Sequence, residues 1–561
     1  MTIHTHQADL LILGAGGAAL MAAMHAHERD PRLKILVAVK GLLGQSGCTR
    51  MVQGGYNAVL NPADSLDRHF EDTVRGGAYL NNQELAWTLV EEAPRRILEL
   101  ENKAGCLFDR NPDGTIHQKP FAGQSFDRTV HKGDLTGIEI MSNLRDWMLE
   151  RPITVLEECR GLDLLAAGSR IGGALLLDMR RGCFLIAGAK ATLLATGGGA
   201  TMYRISSPSL EKSGDGMAMA WRAGAAFIDM EMLQFHPTGL LVGSSVATGG
   251  LLEEGLRGAG ARLFNGRGER FMQRYDPQKM ERATRDVISR CSYLEIAAGR
   301  GTAAGGVLLD ASHLGPEFLL RNFPGMVERC ADYGFDLLNG PVEVSPSAHY
   351  QMGGVEIDRD GRTNLEGLFV AGEDSGGVHG ANRLGGNGVA DSIVFGGRAG
   401  DAMAECAAAV APAAASEIQA RQLAGRWSAT LGREVFELRR QLNDLMWEKV
   451  GVVRHGSDLE AALDDLLSLE QRSALVKPPT GGVLDPDWNE TINLANLLVV
   501  ARMVALCALV RQESRGAHYR ADYPASDPAW LKRIRLISDN GEMKHTFQTV
   551  EFPRLRPAET A

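Results

Sequence analysis

Leu10-Leu11-Ile12-Leu13-Gly14-Ala15-Gly16-Gly17-Ala18-Ala19 is the stretch on which the fold turns. A short apolar run ends in Gly-x-Gly-x-x-Ala. A helical stretch rich in Ala, Met and His follows to about Arg29, and Lys34 to Val39 reads as a second strand. Strand, glycine turn, helix and strand in this order form the dinucleotide fingerprint in its Gly/Ala variant. Gly14 permits the tight turn, and Gly16 lets the backbone approach a pyrophosphate. Ala19 lets helix and strand pack closely, and the helix N-terminus attracts phosphates. The generic fingerprint ends its second strand on an acidic residue for the ribose hydroxyls. Here that position reads Val39-Lys40, which weighs against a plain nicotinamide-binding domain.

Outward from this stretch, glycines recur at Gly41, Gly44, Gly47 and Gln53-Gly54-Gly55. Two further apolar runs also end in glycine, Ala191 to Gly199 and Gly367 to Glu373. Strands that run into glycines at such separated places predict one parallel sheet assembled from distant segments. The stretch 232–346 is then an inserted domain. From 401 the composition shifts to an Ala-rich segment with Pro412 as a break. Helical periodicity covers Arg421 to Val450, Leu459 to Leu475 and Ile492 to Val510. The tail from 526 mixes prolines with strand-like runs.

The 561 residues predict roughly three or four domains. With 44% hydrophobic and 23% charged residues, disorder is excluded as the main theme. The 66 glycines are about 12% of the chain against a usual ~7%, an excess that suggests loops approaching a ligand closely. The net charge of −10 argues against a nucleic-acid binder, yet a local Arg and His cluster can still hold a small anion. The eight cysteines are scattered with no C-x-x-C pair. No zinc or iron–sulfur site is expected in this chain, and no disulfide framework, which suits a reducing compartment. Met1 to Asp9 shows no signal-peptide pattern. Leu494 to Val510 is the most apolar run, but it carries Arg502 and reads as a buried helix, so no direct membrane insertion is expected.

Motifs in order along nearly the whole chain resemble the flavoprotein subunit of succinate dehydrogenase and fumarate reductase, a superfamily shared with L-aspartate oxidase. They are the first glycine motif, Gln53-Gly54-Gly55, Gln118-Lys119-Pro120-Phe121-Ala122-Gly123-Gln124-Ser125, Gly214-Asp215-Gly216 and Gln234-Phe235-His236-Pro237-Thr238-Gly239. Thr284-Arg285-Asp286, His349-Tyr350-Gln351-Met352-Gly353-Gly354, His379 to Asn387 and Glu513 to His518 follow. The resemblance implies FAD and an α/β fold. A Rossmann-like FAD-binding domain (1–231 and 347–407) would carry an inserted α+β capping domain (232–346), a C-terminal helical domain (408–525) and a tail (526–561). Gly14, Gly16, Gly17, Ala18 and Ala19 would cradle the pyrophosphate. Lys40 stands in for the usual acid. Ser46, Thr49, Gln53 and Gly54 would line the flavin approach, Asp215 and Glu373 would bind sugar or ribityl hydroxyls, and Gly388 and Val389 would present backbone amides to the flavin ring.

Interconverting a saturated and an unsaturated dicarboxylate needs a hydride and a proton on adjacent carbons, and flavin handles the hydride. The protein must clamp carboxylates and move a proton. His236, His349 and Arg383 are cationic or donor groups suited to the clamp. By resemblance, His349 and Arg383 hold one carboxylate and His236 lies at the other. Arg285 corresponds to the family's proton-transferring arginine, and its relay maps onto Glu254 and Arg257. A guanidinium, with a pKa above ~12, can act only in a dry site with such a relay. The bland readings are an Arg285–Asp286 ion pair and a solvated Arg257. His518 is assigned to structure or to the flavin neighbourhood.

Three departures from the family pattern matter. The histidine that anchors FAD covalently lies five residues before Gln-Gly-Gly. Here that place holds Cys48, read as a small buried thiol, so FAD is expected to be noncovalent and the chemistry to tilt toward alkene reduction or an oxidase-like role. The threonine that binds the second carboxylate is replaced by Glu253. A carboxylate there would repel a substrate carboxylate by roughly 4 kcal/mol at 4 Å and an effective dielectric of 20. Glu253 is then protonated, turned away, or facing a substrate end that is not anionic. Gly388 replaces the usual serine, whereas Met352 and Leu384-Gly385-Gly386 side with the succinate/fumarate branch.

The expected function is an FAD-dependent oxidoreductase acting on the CH–CH/C=C bond of a carboxylate. The rival readings are an aspartate-oxidase-like amino-acid oxidase, in which Glu253 meets an ammonium, and a catalytically silent electron-transfer or assembly flavoprotein. Expected partners are a small carboxylate and a separate iron–sulfur subunit. The expected location is cytoplasmic, at the membrane face only through such a partner. No metal site is expected.

Overall fold

The computed structural model describes residues 3–411, 415–427, 434–474, 486–539 and 541–557. Its centre is a five-stranded parallel sheet in the order Leu368–Val370, Ala191–Leu194, Leu10–Leu13, Ile35–Val39, Thr154–Glu157. The two strands of the fingerprint run in register, Leu10 against Ile35, and all of their residues are buried. Both faces are covered, which is why these strands read as unbroken apolar runs rather than alternating ones. Leu10–Leu13 lies in the middle with its neighbours joined from opposite directions. Its C-terminal edge is therefore the topological switch point at which open α/β sheets bind ligands.

The helix Gly17–Arg29 leaves that edge and packs chiefly against Asn387–Ala409. Small residues on both helices let the backbones approach. An outer sheet combines Cys159–Ala167, Arg170–Asp178 and Cys183–Gly188 with the N-terminal strand Ile3–Gln7.

Between 233 and 351 the chain forms an antiparallel sheet of Leu233–Leu240, Val342–Gln351, Val307–Asp310 and Arg262–Phe264. The helices Glu254–Ala259, Arg285–Glu295, Pro316–Asn322 and Pro324–Asp332 belong to this segment. The segment has its own apolar core, drawn from Leu240 to Val344 and including Leu252, Phe271, Ile288, Leu309 and Met326. The strands Leu233–Leu240 and Val342–Gln351 run out of that core toward the sheet edge and carry His236 and His349 with them.

The C-terminal part is helical, with Glu417–Trp427, Glu434–Lys449, Gly456–Ser473 and Pro486–Val510. The expected break at Pro412 lies outside the described residues, as does the join between the first two of these helices. Pro486–Val510 is long and apolar enough to cross a membrane, but it is an internal strut with Leu494, Leu497, Val500 and Val504 fully buried. Arg502 is partnered by Glu470 at 2.6 Å. The C-terminal segment does not hang free. Lys532–Asp539 and Glu542–Thr549 form a hairpin, and its first strand pairs with Phe227–Ile228, Leu536 against Phe227.

Candidate active site

One cleft runs from the sheet edge to the inserted segment. It is lined by Gly14, Gly16, Gly17, Ala18, Lys40, Ser46, Thr49, Gln53, Gly54, Asp215, Glu373, Gly388 and Val389 at one end. His236, Glu253, Glu254, Arg285, His349 and Arg383 line the same cleft. Of the residues expected to bind cofactor or substrate or to move the proton, Ala19 and Arg257 do not reach its wall. Ala19 is fully buried in the helix, and Arg257 stands behind Glu254.

At the sheet edge the backbone shapes the cleft. Gly14 has φ +111°, and a Cβ on it would sit 2.1 Å from the Ala195 carbonyl oxygen of the neighbouring strand. The first turn of the Gly17–Arg29 helix carries no acidic residue, and the Gly17 amide donates to Thr49 Oγ1 at 3.1 Å. Such a terminus suits an anionic phosphate. Lys40 does not merely replace an acid. It donates to Ser213 Oγ and Asn493 Oδ1, both at 2.7 Å, and lies 3.2 Å from Asp215. Burial and the nearby Arg160 bring its ammonium down to about 8.

Asp215 and Glu373, expected to bind sugar or ribityl hydroxyls, line the cleft and are also engaged by protein groups. Asp215 accepts from Arg160 at 2.7 Å and Asn496 at 2.8 Å. Burial pushes its carboxyl up, but Arg160 and Lys40 outweigh this and hold it far below the usual range. Glu373 is paired with Lys212 and accepts the Gln351 amide at 2.9 Å. Cys48 is not the buried thiol expected. It is half-buried on the cleft wall, with its thiol pushed up by burial and so poorly nucleophilic.

At the other end, side chains from five segments converge. The Arg285 guanidinium is clasped by Glu254 Oε2, at 2.8 Å from Nε and 2.5 Å from Nη2. Glu254 Oε1 lies 3.3 Å from Arg257, whose Nη1 donates to the Glu281 carbonyl at 2.8 Å. Burial pushes the Glu254 carboxyl up, and Arg285 with Arg257 more than reverses this. Neither bland alternative holds. Asp286 takes Asn382 rather than Arg285, and Arg257 is 1% exposed. Gln234, quoted in its motif but given no role there, bridges the two arginines. Its Oε1 accepts from Arg285 Nη1 at 3.1 Å and Arg383 Nη2 at 3.2 Å.

Arg383 lies over the Tyr350 ring at 4.4 Å. Burial and the neighbouring Arg285 lower it to about 10. The missing serine hydroxyl at 388 now has a geometric meaning. A Cβ on Gly388 would lie 2.9 Å from Arg383 Nη1 and 3.2 Å from the Tyr350 ring. His236 and His349 face each other with ring centroids 5.5 Å apart. Ser207 Oγ lies 2.9 Å from His349 Nδ1, and Thr238 Oγ1 lies 3.2 Å from His236 Nδ1. Burial, reinforced by Arg285 beside His236 and Arg383 beside His349, holds both rings far below their ordinary value. They are neutral hydrogen-bonding groups rather than cations.

Of the three situations foreseen for Glu253, being turned away from the cleft does not hold. It lines the cleft, 3% exposed, and Oε1 pairs with Lys119 Nζ at 2.5 Å. Oε2 is buried without a partner. Burial raises its carboxyl, partly offset by Lys119. Arg329, also on the cleft wall, donates to the Leu251 carbonyl at 2.9 Å, and no sequence motif marked it. His518 lies away from the cleft, fully buried beside Arg454 Nη1 at 2.7 Å, and is structural.

The family described as FAD binding domain matches residues 9–389, and that described as Fumarate reductase flavoprotein C-term matches 439–561. An FAD-dependent oxidoreductase of Methanocaldococcus jannaschii is 45% identical over 94% of this chain and 95% of its own length. A fumarate reductase (CoM/CoB) chain of Methanothermobacter marburgensis is 42% identical over 96% and 98%. Among solved structures, a quinol fumarate reductase chain of E. coli superposes with TM-score 0.93 at 34% identity, covering 99% of each chain. The chain belongs to the fumarate reductase/succinate dehydrogenase flavoprotein family and is an FAD-dependent oxidoreductase.

Proposed function

We propose that this chain interconverts the C=C and CH–CH bonds of a fumarate-like carboxylate, chiefly as a reductase, with FAD held noncovalently at the sheet edge. The helix terminus at Gly16–Ala18, the turn at Gly14 and the Lys40/Asp215 network would hold the dinucleotide. When bound, FAD supplies or accepts the hydride. The chain's own residues do the rest. His349 and Arg383 hold a carboxylate, and His236 donates to the substrate from the facing wall. Arg285 delivers the proton to the carbon next to the one that takes the hydride, and Glu254 with Arg257 restores it. The observation that carries this reading is the clasp of Arg285 by Glu254 and its link through Gln234 to Arg383. The clasp fixes the guanidinium in the cleft, with Glu254 and then Arg257 in contact behind it to return a proton that it passes on.

With no cysteine cluster in the sequence, electrons would reach the cleft through a separate iron–sulfur subunit, which would also set any association with the membrane. The names of the relatives, fumarate reductases among them, favour this placing.

The direct test is steady-state reduction of a panel of unsaturated carboxylates with a reduced viologen dye. Turnover of at least one unsaturated carboxylate is expected, and turnover of none would overturn the reading. The FAD linkage has its own test. Acid precipitation should leave the flavin in the supernatant, because a half-buried thiol of raised pKa stands where the histidyl anchor would be. Flavin that stays with the polypeptide would contradict noncovalent binding.

A further inference from the structure

Arg285 is paired with Glu254, and the arginines on the cleft wall without a carboxylate partner among the described residues are Arg383, which shares Gln234 Oε1 with Arg285, and Arg329, which donates to the Leu251 carbonyl. At Glu253 no cationic charge is left over. Lys119 arrives from the strand Gln118–Lys119 behind Glu253 and does not line the cleft, and Glu253 Oε1 cancels its charge. The other charges that act most strongly on Glu253 are Asp134 and Glu254, both acidic. What Glu253, a residue of the cleft wall, has left to offer is therefore an acceptor, since Oε2 is buried and has no partner among the described residues.

A buried carboxylate oxygen that has lost water and gained no donor is costly. While the Lys119 pair keeps Glu253 ionised, a substrate carboxylate cannot satisfy that oxygen, since two acceptors repel. A hydroxyl, amide or ammonium can.

We infer that Glu253 is a specificity-determining residue, and that the substrate is a carboxylate whose end nearest Glu253 is not anionic and donates an O–H or N–H hydrogen bond to Oε2. Lys119 is its positioning residue. By holding Oε1 it fixes which oxygen faces the ligand and keeps the pair neutral. This inference rests on the proposed function insofar as it places the substrate in this cleft. It predicts a preference for one polar end over another of nearly the same shape.

The experiment uses the FAD-loaded protein and two matched pairs, succinate with succinamate and fumarate with fumaramate. Monomethyl fumarate is added as a neutral end without a donor. Dissociation constants come from flavin difference spectra with the saturated ligands, and kcat/KM from the unsaturated ones. The wild type should bind succinamate more tightly than succinate. It should also turn over fumaramate better than either fumarate or monomethyl fumarate. Glu253→Thr and the isosteric Glu253→Gln should each shift the succinamate-to-succinate preference at least tenfold toward succinate, the fold-change of one hydrogen bond gained or lost. Retained flavin content certifies that each variant is folded. Lys119→Met should weaken both saturated ligands without reversing their order. A wild-type preference for succinate and fumarate that both Glu253 variants leave unchanged would overturn the inference, with a water then satisfying Oε2. Because the binding ratio is read without turnover, this failure is distinct from failure of the proposed reaction. The latter would show as absence of turnover with every unsaturated ligand.

Discussion

The two ends of the cleft are built differently. The dinucleotide end is made of backbone: a turn at Gly14, a helix terminus and strand ends whose places are set by sheet register. Its charged side chains, Lys40, Asp215, Glu373 and Lys212, are bonded mainly to one another and to neighbouring protein groups. The substrate end is made of side chains brought from distant segments, and it keeps unmet polar atoms, Arg383 Nε and Glu253 Oε2 among them. A cradle of backbone tolerates side-chain replacement, as at Lys40. A clamp of individual side chains does not, so a single exchange such as that at Glu253 can change what is bound while the cofactor site stays intact.

The difference is sharpest in variants that strike one end and spare the other. Arg285→Lys should keep FAD bound and lower turnover by orders of magnitude, because lysine cannot span Glu254 and Gln234 with one planar fork. Near-normal kcat with normal flavin content would remove Arg285 from proton delivery. Gly14→Val strikes the other end. Its Cβ would collide with the Ala195 carbonyl in a left-handed turn, costing on the order of 3 kcal/mol or about a hundredfold in FAD affinity. A variant that elutes with full FAD would show that the turn has more room than the geometry allows.

Smaller effects probe the clamp itself. Gly388→Ser should crowd Arg383 and Tyr350 and raise KM by roughly three- to tenfold with little change in kcat, a shift of ~1 kcal/mol. An unchanged KM would mean that Arg383 is not confined from that side. The weakest expected effect is on stability against pH. Burial lowers His236 and His349 in the folded chain, so below their ordinary value of 6.5 the unfolded chain binds more protons than the folded one. Stability therefore falls as pH drops below about 6.5, by ~1 kcal/mol per unit for each ring. Replacing both with Gln should flatten that fall in urea titrations at mildly acidic pH. An unaltered slope would mean that the rings titrate normally.

The sequence made the dinucleotide end legible because its signals are local. An apolar strand, a glycine turn and a helix sit next to one another, and Leu10–Leu13 and Gly17–Arg29 lie where that pattern puts them. The second and third glycine-ended strands then assemble beside them in one sheet. The separate core of the segment around Leu240–Val344 also follows from the long gap between those strands. What escaped depends on contacts between residues far apart. Lys119 and Glu253 are 134 positions apart, and nothing near either residue announces the pair. The role of Gly388 appears only when Arg383 lies beside it. Of the cationic and donor roles open to His236 and His349, burial beside the arginines favours the neutral donor. The C-terminal hairpin reads as a tail because its partner strand is only Phe227–Ile228, too short to show a pattern.

The central claim is that this cleft moves a hydride and a proton onto a carbon–carbon double bond, with Arg285 giving the proton. It is tested most directly by mixing anaerobically reduced enzyme with excess unsaturated carboxylate and recording flavin absorbance over a single turnover. Wild type should reoxidise rapidly with at least one member of the fumarate and fumaramate pair, and Arg285→Lys should reoxidise slower by orders of magnitude with FAD still bound. Wild-type flavin that stays reduced with every such ligand, or an Arg285→Lys variant that reoxidises at the wild-type rate, would contradict it.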